Sequence, residues 1–491
     1  MSKELSVFQN YREGEKIPNV SVEDTTLKNE ENNKNSPSAL EIVLNGLNEY
    51  YHFISYERQL YVYDEDLGYW KLIPASNSSY ELRKLIPNEL RRFALKINFS
   101  ILYEWLLVDA EQKDKTFFQE RFNWINFRDR AYNWKSDKAK KERKSLNFRY
   151  ALNVDYSDTQ VASSNAFKEF VDGLFSEPKT KKEFYKFLAL CFGNIRTLKY
   201  VFFLYGVSDT GKTTVLNLIK HILGDDNCAS LSFGQFQNEF AVATLNGKRA
   251  NLSGEVSAVS NKKLDIIKSI SGNDSVTASY KCKDHFQFEN LCLPIFACNC
   301  LPVITDYLEA QSFLSRVIIF PFSNPVPREK WDKNLLQNLI KDLPGVFMCV
   351  QKGFKLLEDD GFKINESDEM LAAKLSYMGS CESFSLFCDK YIIKSNDSKI
   401  SSAQIQECYS AFCIQRDYLE LAPNQWAQVL KRNTSCQMST MVLNGKRCRA
   451  YKGIKLSDKV EDLLAKEKVY DNAEKQSSSY SFLPSNTNLE E

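Results

Sequence analysis

The sequence lacks the features that are typical of zinc-binding, membrane-spanning and secreted proteins. Only three of its 491 residues are histidine, and its 13 cysteines include no Cys-x-x-Cys pair, so a zinc ribbon is not expected. No run of 18 uncharged apolar residues could cross a bilayer, and the first residues lack the apolar stretch of a secretory signal. We therefore expect a cytoplasmic protein with reduced thiols and no membrane partner.

A net charge of +1 argues against a uniformly basic coat, but basic residues are concentrated in two segments. Residues 135–149 carry seven Lys or Arg against two acids, and residues 443–456 carry five with no acid. Local clusters of this kind are compatible with contact to nucleic acid.

Composition and periodicity divide the chain into five predicted regions. Residues 1–37 and 471–491 are polar and aperiodic, which predicts a disordered arm and tail. Residues 38–160 predict a small mixed α+β domain, in which two strands flank an Asp-Glu-Asp-Leu-Gly turn. In residues 161–376 apolar strands alternate with helices, the pattern of a parallel sheet covered on both faces. Residues 377–470 form a last, small mixed region.

The most specific motif is Gly-x-x-x-x-Gly-Lys-Thr at residues 206–213, preceded by the apolar run "VFFLY". Val215, Leu218, Ile219 and Ile222 follow at the spacing of one helix face. A strand, loop and helix of this kind let successive backbone N–H groups surround phosphate oxygens. We expect Lys212 to reach the β- and γ-phosphates and Thr213 to ligate Mg²⁺. The predicted nucleotide contacts are Gly206, Val207, Ser208, Asp209, Thr210, Gly211, Lys212, Thr213 and Thr214.

Hydrolysis needs further groups, and three later segments offer them. Glu255 ends the predicted strand "KRANLSGE" and could ligate the metal or polarise the attacking water. Asn299 follows an apolar strand and could orient a water at the γ-phosphate. Arg316 precedes another apolar strand and could reach the nucleotide of a neighbouring subunit. A surface glutamate and an ion-paired arginine are the alternative interpretations of Glu255 and Arg316.

Five blocks in order, "GVSDTGKTT", "NLSGE", "KSISGNDSVTASYKCKDHFQFEN", "LPIFACNCLP" and "FLSRVIIFPF", resemble superfamily 3 helicases. The resemblance is closest to the helicase half of phage and plasmid primase-helicases. It implies a P-loop NTPase (AAA+-like) core, ATP and Mg²⁺ as cofactors, a homo-hexameric ring, and catalytic roles for Lys212, Glu255, Asn299 and Arg316. This chain departs from many relatives in two places, with a single acid at Glu255 and Ser-Arg where two arginines are common.

The third block is predicted to hold DNA. In such helicases the segment before the asparagine strand forms a hairpin that projects into the ring channel. Lys281, Lys283 and His285 alternate along "YKCKDHFQF", so a strand there would project all three on one face, towards the phosphates of one DNA strand. A solvated hairpin face is the alternative.

Residues 377–470 are predicted to be a winged-helix-like DNA-binding domain. Two short helices bury Ile405, Cys408, Tyr409, Phe412, Trp426, Val429 and Leu430. A basic hairpin follows, with Asn444-Gly445 as its turn. The residues predicted to contact DNA on this wing are Lys446, Arg447, Arg449 and Lys452. A packing module with a solvated hairpin is the alternative.

The sequence thus predicts an ATP-dependent DNA helicase that serves replication of a phage, plasmid or mobile element in a bacterial host. Single- and double-stranded DNA are the expected partners. The N-terminal region carries no primase signature, so a separate primase or host replication proteins are further expected partners. A DNA-remodelling ATPase and a DNA-binding replication initiator are the competing predictions.

Overall fold

The computed structural model describes residues 37–464, except 119–120, 197–198, 255–266, 268, 273–274, 282–284, 303–311, 417, 419, 422, 435, 444–445 and 462. The predicted arm, apart from residue 37, and the predicted tail lie outside these ranges. None of the helices within them combines the length and apolar character that a bilayer crossing demands.

The first part of the fold is a four-stranded sheet, in the order β3-β2-β1-β4, covered by helices. Its elements are α1 (Ala39–Tyr50), β1 (Phe53–Tyr56), β2 (Gln59–Asp64), β3 (Tyr69–Ile73), α2 (Ser78–Leu85), α3 (Arg91–Ala94), α4 (Phe99–Asp109) and β4 (Glu111–Lys113). Strands β2 and β3 pair in antiparallel fashion, which confirms the two strands predicted around the Asp-Glu-Asp-Leu-Gly turn. Leu47, Leu60 and Leu102 are fully buried between the helices and this sheet.

A three-stranded antiparallel sheet follows, made of β5 (Trp124–Asn126), β6 (Ala131–Asn133) and β7 (Lys138–Lys140). Its apolar side chains belong to the same hydrophobic cluster as the helices that come after residue 160. Trp134, for example, stacks on Phe354 with ring centroids 4.8 Å apart. Side chains on both sides of residue 160 therefore share one core.

The centre of the molecule is a five-stranded parallel sheet in the order β14-β8-β13-β10-β9. Its strands are β8 (Val201–Tyr205), β9 (Cys228–Ala229), β10 (Ala250–Ser253), β13 (Leu293–Cys298) and β14 (Val317–Pro321). The antiparallel hairpin of β11 (Ser275–Ser279) and β12 (His285–Glu289) is inserted between β10 and β13. The accompanying helices are α5 (Ala166–Leu174), α6 (Pro178–Phe192), α7 (Lys212–Leu223), α8 (Glu239–Val242), α9 (Leu335–Lys341) and α10 (Leu343–Asp359).

This arrangement confirms a mixed α/β protein with a parallel sheet. Every residue of β13 and β14 is buried, as expected for strands covered on both faces. Since β8 lies between β13 and β14 and all three are parallel, the segments that follow these strands leave the sheet side by side.

The C-terminal part contains α11 (Asp368–Tyr391), β15 (Ile392–Ser401), α12 (Ser402–Ile414), α13 (Pro423–Thr434), β16 (Gln437–Leu443) and β17 (Lys446–Leu456). The strands form an antiparallel sheet in the order β15-β17-β16. Helix α11 is continuous across the predicted boundary at residues 376–377, with Tyr377 in the core of the central sheet and Phe384 in the C-terminal core. All seven side chains predicted to face inward on α12 and α13 are buried, which confirms that prediction.

Candidate active site

The loop 206–211 joins the central strand β8 to helix α7 at the carboxyl edge of the sheet. The Gly206 N–H donates to the carbonyl of Cys298 at 3.1 Å, and the Phe322 N–H donates to the carbonyl of Tyr205 at 2.6 Å. A Cβ atom at position 206 would overlap the carbonyl oxygen of Phe322. Glycine is required here because the backbone leaving β14 passes directly over it.

The loop backbone leaves its N–H groups available to a ligand. Asp209 and Gly211 have left-handed φ values of 64° and 90°, and the Val326 N–H fixes the turn by donating to the Asp209 carbonyl at 3.0 Å. Within the described residues, the N–H groups of 207–211 donate to no other group. Successive N–H groups in such a turn form an anion-binding concavity, and the amino end of α7 adds its free N–H groups and dipole.

Lys212 is the first residue of α7, and its side chain folds back into the loop. It is 7% exposed, and its ammonium donates to the Gly206 carbonyl at 2.7 Å, to the Thr210 hydroxyl at 3.2 Å and to the Val207 carbonyl. Burial lowers the pKa of Lys212. A cation is therefore held inside the loop whose N–H groups are free.

Asn299 lies beside this loop. It follows β13 directly, and its Nδ2 donates to the Ser208 hydroxyl at 3.1 Å. The contact follows from the sheet order, because β13 pairs with β8 in a register that sets Cys298 opposite Tyr205. Lys212 and Asn299, which the sequence separates by 87 positions, thus flank the same loop. Thr213 and Thr214 lie in the first turn of α7, where Thr213 is exposed.

Glu255, the predicted acid, lies outside the described residues. Strand β10 runs parallel to β13 and sets Ser253 opposite Phe296, so it ends at the same edge of the sheet. Its place in the site stays a prediction.

Arg316 lies at the other end of the sheet. It precedes β14, whose first residue Val317 pairs with Val201, the first residue of β8. The length of the strand sets Arg316 about 15 Å from the loop 206–211 of its own chain. Its Nη1 donates to the Ser271 hydroxyl at 3.1 Å, beside a basic pocket that also contains Lys199 and Lys363.

Residues 204–313, 110 of the 491, match the Family of unknown function (DUF5906). Two solved structures of the C-terminal region of NrS-1 are similar to the chain. The A form apo structure is 13% identical, with a TM-score of 0.42, and covers 85% of this chain and 100% of its own. The apo structure of residues 305–718 is 12% identical, with a TM-score of 0.44 and the same coverage. No curated protein matches, and similarity at this level does not indicate an activity.

The hairpin between β10 and β13 corrects one sequence prediction. Ser279 pairs with His285, so β11 ends at Ser279 and β12 begins at His285. Lys281 lies in a turn after β11, and Lys283 lies outside the described residues. His285 is exposed and lies 3.8 Å from the Glu239 carboxylate. The prediction that one strand carries both Lys281 and His285 was wrong, because an alternating sequence pattern does not show where a strand ends, and the prediction for Lys283 stays untested.

The basic hairpin of β16 and β17 is present, and it divides the predicted basic residues between two faces. Leu443 pairs with Lys446, and the predicted turn Asn444-Gly445 lies outside the described residues. Arg447 and Arg449 are exposed and share one face of β17, whereas alternation sets Lys452 on the other.

Two contacts of the site carry no recognisable sequence signal. No pattern in the sequence indicates that Ser208 accepts a hydrogen bond from Asn299, because this contact depends on β13 lying next to β8. Phe322 follows β14 without any motif, yet its carbonyl dictates glycine at position 206. Both depend on which strands are neighbours.

Proposed function

We propose that this chain is an ATP-dependent DNA helicase with a P-loop NTPase (AAA+-like) core, working in replication as a ring-shaped oligomer, with a homo-hexamer as the expected form. The observation that carries the proposal is the buried Lys212 in the loop 206–211, at the carboxyl end of the central strand, with Asn299 against Ser208. Ligands of open α/β sheets bind at this edge.

The described residues fit a nucleoside triphosphate. The free N–H groups of residues 207–211 would receive phosphate oxygens, and the Lys212 ammonium would exchange its carbonyl partners for the β- and γ-phosphates. Thr213 is exposed, so its hydroxyl would be available to Mg²⁺. Glu255, outside the described residues, stays the predicted second ligand. When bound, Mg²⁺ neutralises phosphate charge. Asn299 would orient a water at the outermost phosphate.

The C-terminal region supports a DNA-binding role. The second half of α11 and the elements from β15 to β17 occur in the order helix, strand, helix, helix, hairpin, which is the arrangement we propose to be a winged helix. Arg447 and Arg449, exposed on β17, would contact duplex phosphates. Single- and double-stranded DNA are then the proposed partners, with a separate primase or host replication proteins as further ones.

The position of Arg316 supports a shared site in a ring. An arginine about 15 Å from its own loop can stabilise phosphate charge only on another subunit's nucleotide. A DNA-remodelling ATPase and a replication initiator use the same loop and the same C-terminal hairpin, so unwinding is the activity that separates these functions.

The test compares wild type, Lys212→Ala and Lys220→Ala in ATP hydrolysis and in unwinding of a forked duplex. Lys220 lies on the same helix but is exposed and pairs with Asp225 at 2.9 Å. We expect Lys212→Ala to lose both activities by at least about a hundredfold, and Lys220→Ala to retain them. Retained hydrolysis in Lys212→Ala would exclude the nucleotide site, and hydrolysis without unwinding by assembled wild type would favour the remodelling ATPase or the initiator.

A further inference from the structure

A second candidate site is a groove between the N-terminal sheet and the hairpin of β11 and β12. It has a volume of about 1000 Å³. One wall is the exposed face of the hairpin, with Ser275, Thr277, His285 and Gln287. The opposite wall is the turn between β1 and β2 together with Lys115, Phe118, Arg121 and Phe122. The buried face of the hairpin packs in the core, so its polar face has a fixed position.

The groove carries an excess of positive charge. Five arginines or lysines line it, against the two glutamates Glu57 and Glu289. Glu289 is already paired with Arg149 at 2.9 Å. Arg58 and Lys115 are exposed and make no ion pair with the other described residues. A polyanion would therefore meet unpaired cations along the groove.

Arg196, another of these five cations, lines the groove and has an unused donor. Its Nε donates to the Leu291 carbonyl at 2.8 Å and its Nη1 to the Leu190 carbonyl at 2.7 Å. Its Nη2 is buried and has no partner among the described residues. A buried guanidinium that bonds only to carbonyls lacks the counter-charge that normally accompanies it.

A second buried arginine adds to the positive charge around Arg196. Arg249 is 1% exposed, stacks on the Tyr150 ring at 3.9 Å and forms no ion pair within the described part of the chain. Its charge and that of Arg196 disfavour each other, and burial lowers the pKa of both. An anion bound beside Arg196 would relieve this repulsion.

The groove also has a strained turn and an exposed aromatic ring. Glu57 and Arg58 both have left-handed φ values, 47° and 60°, at a two-residue turn where Asn-Gly is usual. Strain of this kind occurs at functional sites more often than elsewhere. Phe122 is 45% exposed. Nucleic-acid bases stack on exposed aromatic rings.

We propose that this groove binds a single strand of nucleic acid, with phosphates at Arg58, Lys115 and Arg196 and a base on Phe122. The proposal deepens the proposed function and rests on it for its role, but the binding itself needs no nucleotide. Strand β12 leads through three residues into β13, which ends beside Asn299. A nucleic-acid strand bound in the groove would thus contact the hairpin, which leads into the strand beside the loop 206–211.

The test measures binding of a fluorescent oligo(dT) of about 20 nucleotides to the full chain without nucleotide, over a series of salt concentrations. We expect Arg58→Ala/Lys115→Ala to bind about tenfold more weakly near 0.1 M salt, with a slope of log K against log salt shallower by about 1.4, because each lost contact to a single strand removes about 0.7. Arg58→Lys/Lys115→Arg should restore binding.

The matched control is Lys138→Ala/Lys141→Ala, which removes two exposed charges outside the groove. It should bind like wild type. The groove assignment would be overturned if both double variants lost affinity for the oligonucleotide equally. It would also be overturned if Arg58→Ala/Lys115→Ala changed the oligomeric state and left the affinity unchanged. Retained ATP hydrolysis in Lys212→Ala would overturn the proposed function alone, since the oligonucleotide is measured without nucleotide.

Discussion

Position 206 admits no side chain because two strands close over it. The chain leaving β14 donates back to Tyr205, and Gly206 itself donates to Cys298, so the backbone is fixed on both sides. The same bonds hold the loop that surrounds the Lys212 ammonium. The glycine of the motif is thus explained by backbone packing within the free protein, before any phosphate is bound.

Gly206→Ala is therefore expected to lower the free energy of unfolding by about 2 kcal/mol, because the new methyl group meets the Phe322 backbone and the backbone cannot move without breaking β14. Denaturant unfolding measures this. Gly173→Ala, in helix α5 where nothing lies within 4 Å of the added carbon, is the control. It should be neutral or stabilising by up to about 1 kcal/mol. An unchanged unfolding midpoint in Gly206→Ala would contradict the closure described here.

Individual elements were predictable where periodicity is strong and local. Val215, Leu218, Ile219 and Ile222 mark the buried face of α7, and all four are buried. The order of the strands was not predictable, because the position of β13 between β8 and β10 is decided by packing between distant segments. The end of β11 at Ser279 was missed because the alternation of residues 281–285 in the sequence suggests one strand.

The hairpin of β16 and β17 is the element whose DNA contact is most directly testable. Arg447→Ala/Arg449→Ala should make the salt dependence of duplex binding shallower by up to about 1.8, since each lost phosphate contact on B-DNA removes about 0.9. The control, Lys394→Ala/Lys399→Ala, removes two exposed charges from β15 at the opposite edge of the same sheet. Equal slopes for the two double variants would assign no specific contact to the hairpin.

At the scale of the molecule, the central sheet holds the candidate nucleotide loop and the candidate arginine at opposite edges. Its carboxyl edge carries the loop 206–211 and Asn299, and its amino edge carries Arg316 with Lys199 and Lys363. A single chain cannot join these two edges. A ring in which each subunit presents its amino edge to the next subunit's loop would join them, since a head-to-tail interface repeats the same contact around the ring.

This geometry predicts complementation between two inactive variants. Lys212→Ala subunits keep Arg316, and Arg316→Ala subunits keep the loop, so each variant alone should hydrolyse ATP poorly. In an equal mixture, about a quarter of head-to-tail interfaces would pair an intact loop with an intact arginine. ATP hydrolysis should therefore rise towards a quarter of the wild-type rate. Mixing Lys212→Ala with the double variant Lys212→Ala/Arg316→Ala offers no intact loop and should stay inactive. If differently tagged Lys212→Ala and Arg316→Ala subunits co-purify in one ring and the mixture remains inactive, Arg316 does not act across subunits.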